Sequence, residues 1–190
     1  AATLKGRCAM GTGRKQTLGY LHLLSCLVIA APGLSAQEQS DPPFTFLLPP
    51  GLALTDFTPS INGSTYTYTS TNQNDLLRLM ITVMPRQAID QRFGKLSEVQ
   101  CINLFVTELR TNHDDFFAVN QSRPLTLAGR EFPQFRWSGK NAGVRWTGIL
   151  SCGTVSDWYL VVHFVDETLR AARTFPPVRT SLRDLRSTQH

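Results

Sequence analysis

The sequence lacks several motifs that carry catalytic chemistry. It holds no glycine-rich phosphate-binding loop, no His-Glu-x-x-His zinc motif and no paired Cys-x-x-Cys unit. It also has no internal repeat and no low-complexity tract. These absences remove the usual sequence arguments for a nucleotide-binding enzyme, a zinc hydrolase or a dithiol oxidoreductase.

The chain beyond residue 36 also lacks an excess of positive charge. The 190 residues carry a formal charge of +5, but the first 36 hold four basic residues and no acidic one. The remainder has 15 basic residues against 14 acidic ones and is nearly neutral. The bulk electrostatic argument for nucleic acid as a partner is therefore absent.

The basic residues near the start belong to a segment with the three parts of a secretory signal. Arg14 and Lys15 form a positive region, an apolar run covers residues 18–34, and small residues precede a cleavage point after Ala36. The run is interrupted by polar residues and proline, whereas a membrane anchor needs about 20 apolar residues. The pattern favours a cleaved leader, with an uncleaved anchor as the main alternative.

This segment sets the expected domain boundaries and localisation. We expect residues 1–36 to be the leader, with Met10 as a candidate start, residues 37–43 to be a polar linker, and residues 44–190 to be one domain. The mature protein is expected in the periplasm or outside the cell, with membrane contact only through the leader before cleavage. Lipid attachment at Cys26 is not favoured, because the apolar run continues past it.

Two of the four cysteines remain after the leader is removed. Cys8 and Cys26 leave with it, whereas Cys101 and Cys152 stay in the domain. An even count in an exported chain favours a disulfide, with two buried free thiols as the alternative. A metal site is not expected, because two isolated cysteines without nearby histidines lack ligand spacing.

Alternating and β-rich segments predict strands separated by turns. Ser97 and Gln100 form a capping box at the start of an amphipathic helix that ends near residues 110–112. A short helix is expected at residues 167–173, and a terminal helix begins at Pro176, since proline suits a first helical turn. The strands are expected at residues 44–48, 65–69, 76–84, 116–120 or 125–127, 131–137, 145–151 and 158–165.

The order of these elements predicts the fold class. Strands come first, one long helix follows, and then come a run of strands and a C-terminal helix, without the alternation typical of a parallel sheet. We expect an α+β fold in which helices flank an antiparallel sheet, an αβα-type layered sandwich. Residues 158–165 are apolar at nearly every position and are expected to form a central strand.

Several segments resemble those of PsbP/Mog1-like domains. The resemblance covers most of residues 44–186 and implies a sheet flanked by helices. It also implies a mostly non-catalytic protein that binds other proteins as an accessory subunit, chaperone or immunity protein, with no family site to carry over. The segments that resemble the family are residues 46–51, the helix at 98–110, the strands bearing Trp137, Trp146 and Trp158, and residues 175–182.

Two histidines are candidates for chemistry. His113 is followed by Asp114 and Asp115, and an imidazole with two carboxylates can hold a cation, although the same residues are ordinary where a helix ends in a turn. His163 lies at the end of the most apolar strand, close in sequence to Asp166. A hydrolytic triad would also need a nucleophile, for which Ser151 and Ser156 are the nearest serines, but neither lies in a Gly-x-Ser-x-Gly elbow.

Three arginines are candidates for binding a partner. Arg179, Arg183 and Arg186 are spaced to share one face of the terminal helix, where they would dock an acidic surface or simply remain solvated near the helix C-terminus. Asn62 and Asn120 begin glycosylation sequons, which matter only in a host that glycosylates exported proteins.

These patterns favour an exported, non-catalytic protein-binding module without cofactor or metal. Its partner is expected to be another protein, as for an envelope accessory protein or an immunity protein against a secreted toxin. One alternative is an envelope hydrolase that uses His163 or the cluster at 113–115. The other is a carrier of a small ligand or lipid, which needs a sizeable apolar pocket.

Overall fold

Eleven strands and three helices are described in the computed structural model, which covers residues 43–72 and 75–188. The expected leader and residues 37–42 of the expected linker lie outside the described residues. The helices are α1 Arg86–Phe93, α2 Glu98–Thr111 and α3 Thr168–Arg183. The strands are β1 Phe44–Thr45, β2 Leu52–Ser60, β3 Gly63–Ser70, β4 Arg78–Pro85, β5 Asp114–Asn120, β6 Leu125–Leu127, β7 Arg130–Phe132, β8 Gln134–Asn141, β9 Val144–Val155, β10 Trp158–Glu167 and β11 Arg186–Ser187.

Seven of these strands form one antiparallel sheet in the order β2-β3-β4-β10-β9-β8-β5. β2 and β5 are therefore its two edges. β10 lies between β4 and β9, which confirms the predicted central strand. The pairs β1-β11 and β6-β7 form two further small sheets.

The side chains of β10 alternate between two cores, one on each face of the sheet. Tyr159 and Val161 pack into the core beneath α1 and α2, whereas Leu160 and Val162 pack into the core beneath α3. Helix packing falls mainly on β4, β5, β9 and β10. The sheet is thus antiparallel, as expected, and it carries three helices that flank it only in part.

Helix α2 begins as the sequence predicts. The Ser97 hydroxyl accepts a hydrogen bond from the Gln100 backbone N–H, and the Gln100 side chain accepts one from the Ser97 N–H. These reciprocal bonds satisfy two backbone donors that the first helical turn leaves unpaired.

A disulfide between Cys101 and Cys152 links α2 to β9. Both residues are fully buried, and their Cα atoms are 6.1 Å apart. The bond closes a loop with a sequence separation of 51 residues. On the chain-entropy treatment such a crosslink stabilises the fold by about 4 kcal/mol.

The two helices expected near the C-terminus are one continuous helix, α3, which contains Pro176 and Pro177. Both prolines remove a backbone donor. They are exposed, while Phe175 and Val178 on either side are buried in a stripe that continues to Leu182. Burial of this continuous stripe offsets the hydrogen bonds lost at the prolines.

Other differences from the expected elements also follow from local chemistry. Pro133 separates β7 from β8, where one strand was expected. Residues 116–120 and 125–127 both lie in strands, and the first strand pairs only at Phe44 and Thr45. β2 and α1 were not expected, because the edge strand β2 lacks a regular apolar alternation and α1 buries only Ile89.

Within the described ranges, none of the helices has the length and apolar character that crossing a membrane requires.

Candidate functional site: the edge strand β5

The run at residues 113–115 does not converge on one point. His113 is buried, its Nδ1 lies 2.8 Å from the Leu109 carbonyl, and its ring packs 4.7 Å from the ring of Trp137. Asp114 and Asp115 are exposed, and Asp115 lies 3.8 Å from Arg145. These residues therefore form an ordinary helix end and strand start, and no group of His, Cys, Asp or Glu suited to a metal ion occurs in the described part of the chain.

His163 lies against the same tryptophan. The Trp137 indole N–H donates to His163 Nε2 at 3.0 Å. Although part of the residue reaches the surface, desolvation of its ring and then the nearby His113 lower the pKa of His163 to about 3. The imidazole is therefore neutral at physiological pH, and its unprotonated nitrogen is already occupied.

Strand geometry does not bring together the residues that a triad around His163 would need. Ser151 is paired with Val162, and its hydroxyl donates to the Pro133 carbonyl at 2.8 Å on the α3 side of the sheet. Asp166 lies on that side as well, where it accepts hydrogen bonds from the Glu167 N–H and the Thr174 hydroxyl. Successive strand residues point to opposite faces, so His163 points towards α2 instead. Ser156 lies in the turn between β9 and β10, at the far end of the strand.

A cleft of about 210 Å³ lies between the loop after β1, the segment between β3 and β4, and α3. Its lining mixes Pro49, Pro50 and Leu77 with Asp75 and Arg173. Pockets for small molecules are usually about 300–1,000 Å³ and mostly apolar. This cleft therefore gives little support to the carrier hypothesis.

The edge strand β5 exposes apolar side chains. Phe117 is 63% exposed and Val119 is 42% exposed. They point to the same face because they are two residues apart, and they pair with Ser138 and Arg136 of β8. The other exposed large apolar residues are distributed over loops, strand β2 and the three helices: Leu47, Leu54, Ile61, Phe93, Val99, Leu104 and Leu169.

Arg136 lies beside this apolar pair, and Arg179 of α3 lies on the same face of the sheet, over Phe164 of β10. Arg136 is exposed on β8, and α3 brings Arg179 near it. Burial, and then the positive charge of Arg136, lower the pKa of the Arg179 guanidinium. Neither arginine forms an ion pair with a carboxylate of the described residues. We call Phe117, Val119, Arg136 and Arg179 the β5 surface.

The expected arginine face of the terminal helix needs a correction. Arg179 and Arg183 lie one turn apart on α3, but the helix ends at Arg183. Leu185 is buried, and the chain then turns so that Arg186 pairs with Thr45 in the small β1-β11 sheet. Arg186 is therefore not part of a helical face, and partner binding by the three arginines remains a prediction.

The two sequons differ in accessibility. Asn62 is buried, and its Oδ1 accepts a hydrogen bond from Arg92 at 2.9 Å. Asn120 is exposed at the end of β5. A glycan would therefore be accommodated at the edge of the sheet and not at Asn62.

Sequence reasoning identified β5 as a strand but not as an edge. The segment Phe116–Asn120 is apolar on both faces at its first four positions, which also suits a buried strand. Only the strand order shows that one side of β5 has no neighbouring strand among the residues the structure describes, and only the packing of α3 brings Arg179 to the face that carries Arg136.

Comparisons with known proteins add a structural likeness to solved structures. No protein-family model and no curated protein matches the chain. Among solved structures, it is similar to LpqN of Mycobacterium tuberculosis, whose structure is described as that of a protein involved in cell envelope biogenesis. The two are 14% identical, the match covers 80% of this chain and 88% of LpqN, and the TM-score is 0.48. A likeness at this level carries no argument about function.

Proposed function

We propose that this chain is an exported, non-catalytic protein-binding module of the PsbP/Mog1-like type. It acts as an accessory protein of the cell envelope or as an immunity protein against a secreted toxin. The β5 surface is the part that contacts its partner.

One observation carries this proposal, the combination of exposed apolar side chains at an edge of the sheet with basic side chains, on the same face, that no described carboxylate pairs with. Phe117 and Val119 offer apolar area to a partner, and exposed apolar residues that cluster on a soluble protein often mark an interaction site. Arg136 and Arg179 add positive charge that no described carboxylate neutralises. Arginine is enriched in protein interfaces, where it forms directional hydrogen bonds.

The disulfide supports an exported location. Disulfides persist in oxidising compartments and are rare in the cytosol. The Cys101–Cys152 bond, which fixes α2 across β9, is compatible with that setting.

The test is a crosslinking capture that compares three versions of the full chain. The wild type is expected to retain one stoichiometric protein from an envelope fraction. Phe117→Ser/Val119→Ser is expected to lose it, whereas the control Leu169→Ser, which changes a residue that is 88% exposed on α3, is expected to keep it. Equal capture by all three versions would remove the β5 surface from the proposal, and the absence of any partner would contradict protein binding itself.

A further inference from the structure

We infer that β5 binds an extended segment of its partner as an added strand, and that this segment carries both acidic and apolar residues. The inference rests on the proposed function, because it specifies how the β5 surface holds a protein. It commits to a partner segment of acidic and apolar character and not to a second copy of this chain.

The backbone of β5 is set up for such an addition. The Gln121 N–H donates to the Gln134 carbonyl at 2.9 Å and continues the register in which Val119 pairs with Arg136. In an antiparallel pair, alternate residues direct their backbone groups towards and away from the neighbouring strand. The backbone N–H and C=O groups of Phe117 and Val119 therefore point towards β8, whereas those of Ala118 and Asn120 point outward.

No strand of the described chain pairs with these outward groups, since β5 is the last strand of the sheet. An extended peptide can form main-chain hydrogen bonds with such an edge, and its side chains then provide the specificity. The usable length is short. A register irregularity lies between Asp114 and Phe117, and Asp115 has a positive φ of 50°, so the regular edge covers residues 117–120.

The side chains around the edge define what the added strand must carry. On the α3 side, its residues would lie beside Phe117 and Val119, at a strand spacing of about 4.8 Å. Apolar side chains there would cover the exposed ring and methyl groups. Arg136 lies on the same side, directly behind Val119, so acidic side chains of the added strand would meet its positive charge, which no described carboxylate pairs with.

The same charges disfavour a second copy at this edge. Two β5 strands paired antiparallel about a two-fold axis perpendicular to the sheet would bring both copies of Arg136 and Arg179 to one face. In this arrangement the arginines of the two copies would repel each other. An acidic partner removes the repulsion, whereas self-association increases it.

The experiment uses the full chain, labelled with nitrogen-15, and a synthetic heptapeptide of sequence Val-Thr-Glu-Thr-Val-Thr-Glu. In an extended peptide the Val and Glu side chains share one face. Titration followed by NMR is expected to shift the amide signals of Ala118 and Asn120 most, because their N–H groups would gain a carbonyl acceptor. The peptide with both Glu replaced by Lys is expected to bind about tenfold more weakly.

Two controls separate strand addition from simple contact with the surface. A peptide N-methylated at alternate residues keeps its side chains but cannot form the ladder, and it is expected to cause no shift at Ala118 and Asn120. Arg136→Ala is expected to weaken binding of the Glu peptide about two- to fivefold, the size of an exposed ion pair. Leu169→Ser is expected to bind like the wild type.

The outcomes distinguish the two proposals. No shift at Ala118 and Asn120 at millimolar peptide, or equal binding of the N-methylated peptide, overturns strand addition. If capture of a partner still depends on Phe117 and Val119 in that case, the proposed function survives. Equal binding of the Glu and Lys peptides overturns the acidic preference, and concentration-dependent dimerisation of the wild type through β5 overturns the choice of partner.

Discussion

The two edges of the central sheet differ in how well they are protected against pairing. β2 carries Pro59, which lacks a backbone donor, the charged Asp56, and a register shift between Leu54 and Asp56. Natural sheets use proline, charge and bulges in this way to prevent unwanted association. β5 has an irregularity only at its start, and its segment from Phe116 to Val119 has neither charge nor proline.

This difference indicates that the exposure of β5 is not a general property of the chain's edges. Along β2 the three devices fall within the strand, whereas β5 has its charges and irregularity only at Asp114 and Asp115 and is apolar from Phe116 to Val119. A partner that covers β5 would account for this asymmetry. The account can therefore be tested by changing either edge, or the scaffold that both edges share.

The largest expected effect comes from the disulfide that fixes the scaffold on the β5 side. Reduction of the Cys101–Cys152 bond is expected to lower the free energy of unfolding by about 4 kcal/mol, because it releases the loop in the unfolded chain. Denaturant unfolding with and without reductant measures this. Hydrogen exchange of the most protected amides should accelerate across the whole sheet, because the effect acts on global unfolding, and unchanged exchange after reduction would contradict the prediction.

The second effect is acid sensitivity centred on His163. Its folded pKa of about 3 lies below the ordinary value of 6.5, so between these values the unfolded chain takes up a proton that the folded chain does not. Stability is therefore lost as the pH falls from about 6.5 towards 3, by at most about 1.4 kcal/mol per pH unit. His163→Gln keeps an acceptor for the Trp137 N–H and removes this titration.

The comparison between wild type and His163→Gln isolates this contribution from that of other groups. Burial raises the pKa of Asp166, which contributes in the opposite direction by favouring the folded state as the pH falls. Thermal or denaturant unfolding at several pH values gives both curves. Parallel curves would show that His163 titrates normally in the folded protein.

A third prediction sharpens the comparison at the protected edge. Asp56→Val/Pro59→Val restores a backbone donor to β2 and removes its charge, so β2 becomes more similar to β5. We expect concentration-dependent self-association at about 100 μM, because an open apolar edge promotes pairing. Light scattering during size-exclusion chromatography measures it, with Thr58→Val as the control. A variant that remains monomeric would mean that these two residues do not protect the edge.

The smallest expected effect concerns the two neighbouring arginines. Arg179→Met keeps much of the apolar contact with Phe164, whose ring lies 5.9 Å from the Arg179 guanidinium, and removes the repulsion from Arg136. We expect stability to rise by up to about 0.5 kcal/mol, while affinity for the acidic peptide falls. Arg183→Met is the control on the exposed part of the same helix. A loss of stability in Arg179→Met would indicate a structural role for the charge.

The sequence predicted the elements that have strong local signals. The capping box at Ser97 located the start of α2, and the apolar run at residues 158–165 identified the central strand. β2 escaped prediction because an edge strand with Asp56 and Pro59 lacks the alternation that marks a half-buried strand. α3 was divided in two because local proline rules do not include the buried stripe that continues from Phe175 to Leu182.

The candidate site depended on information that a single sequence does not contain. His113 and His163 are 50 positions apart, and their common contact with Trp137 follows from strand order and register. Arg136 and Arg179 come from β8 and α3, and their proximity depends on how α3 crosses the sheet. The sequence alone identified Arg179 as a candidate, but it did not identify the other residues of the β5 surface, which lie on β5 and β8.

The most direct test of the central claim is the effect of Ala118→Pro on partner capture by the full chain. Proline removes the outward N–H of the edge and is tolerated at an edge position, whereas the control Ala118→Ser keeps that N–H. The account predicts at least a tenfold loss of captured partner for Ala118→Pro, none for Ala118→Ser, and cooperative unfolding of both variants. Undiminished capture by a folded Ala118→Pro variant would contradict the claim that β5 pairs with its partner.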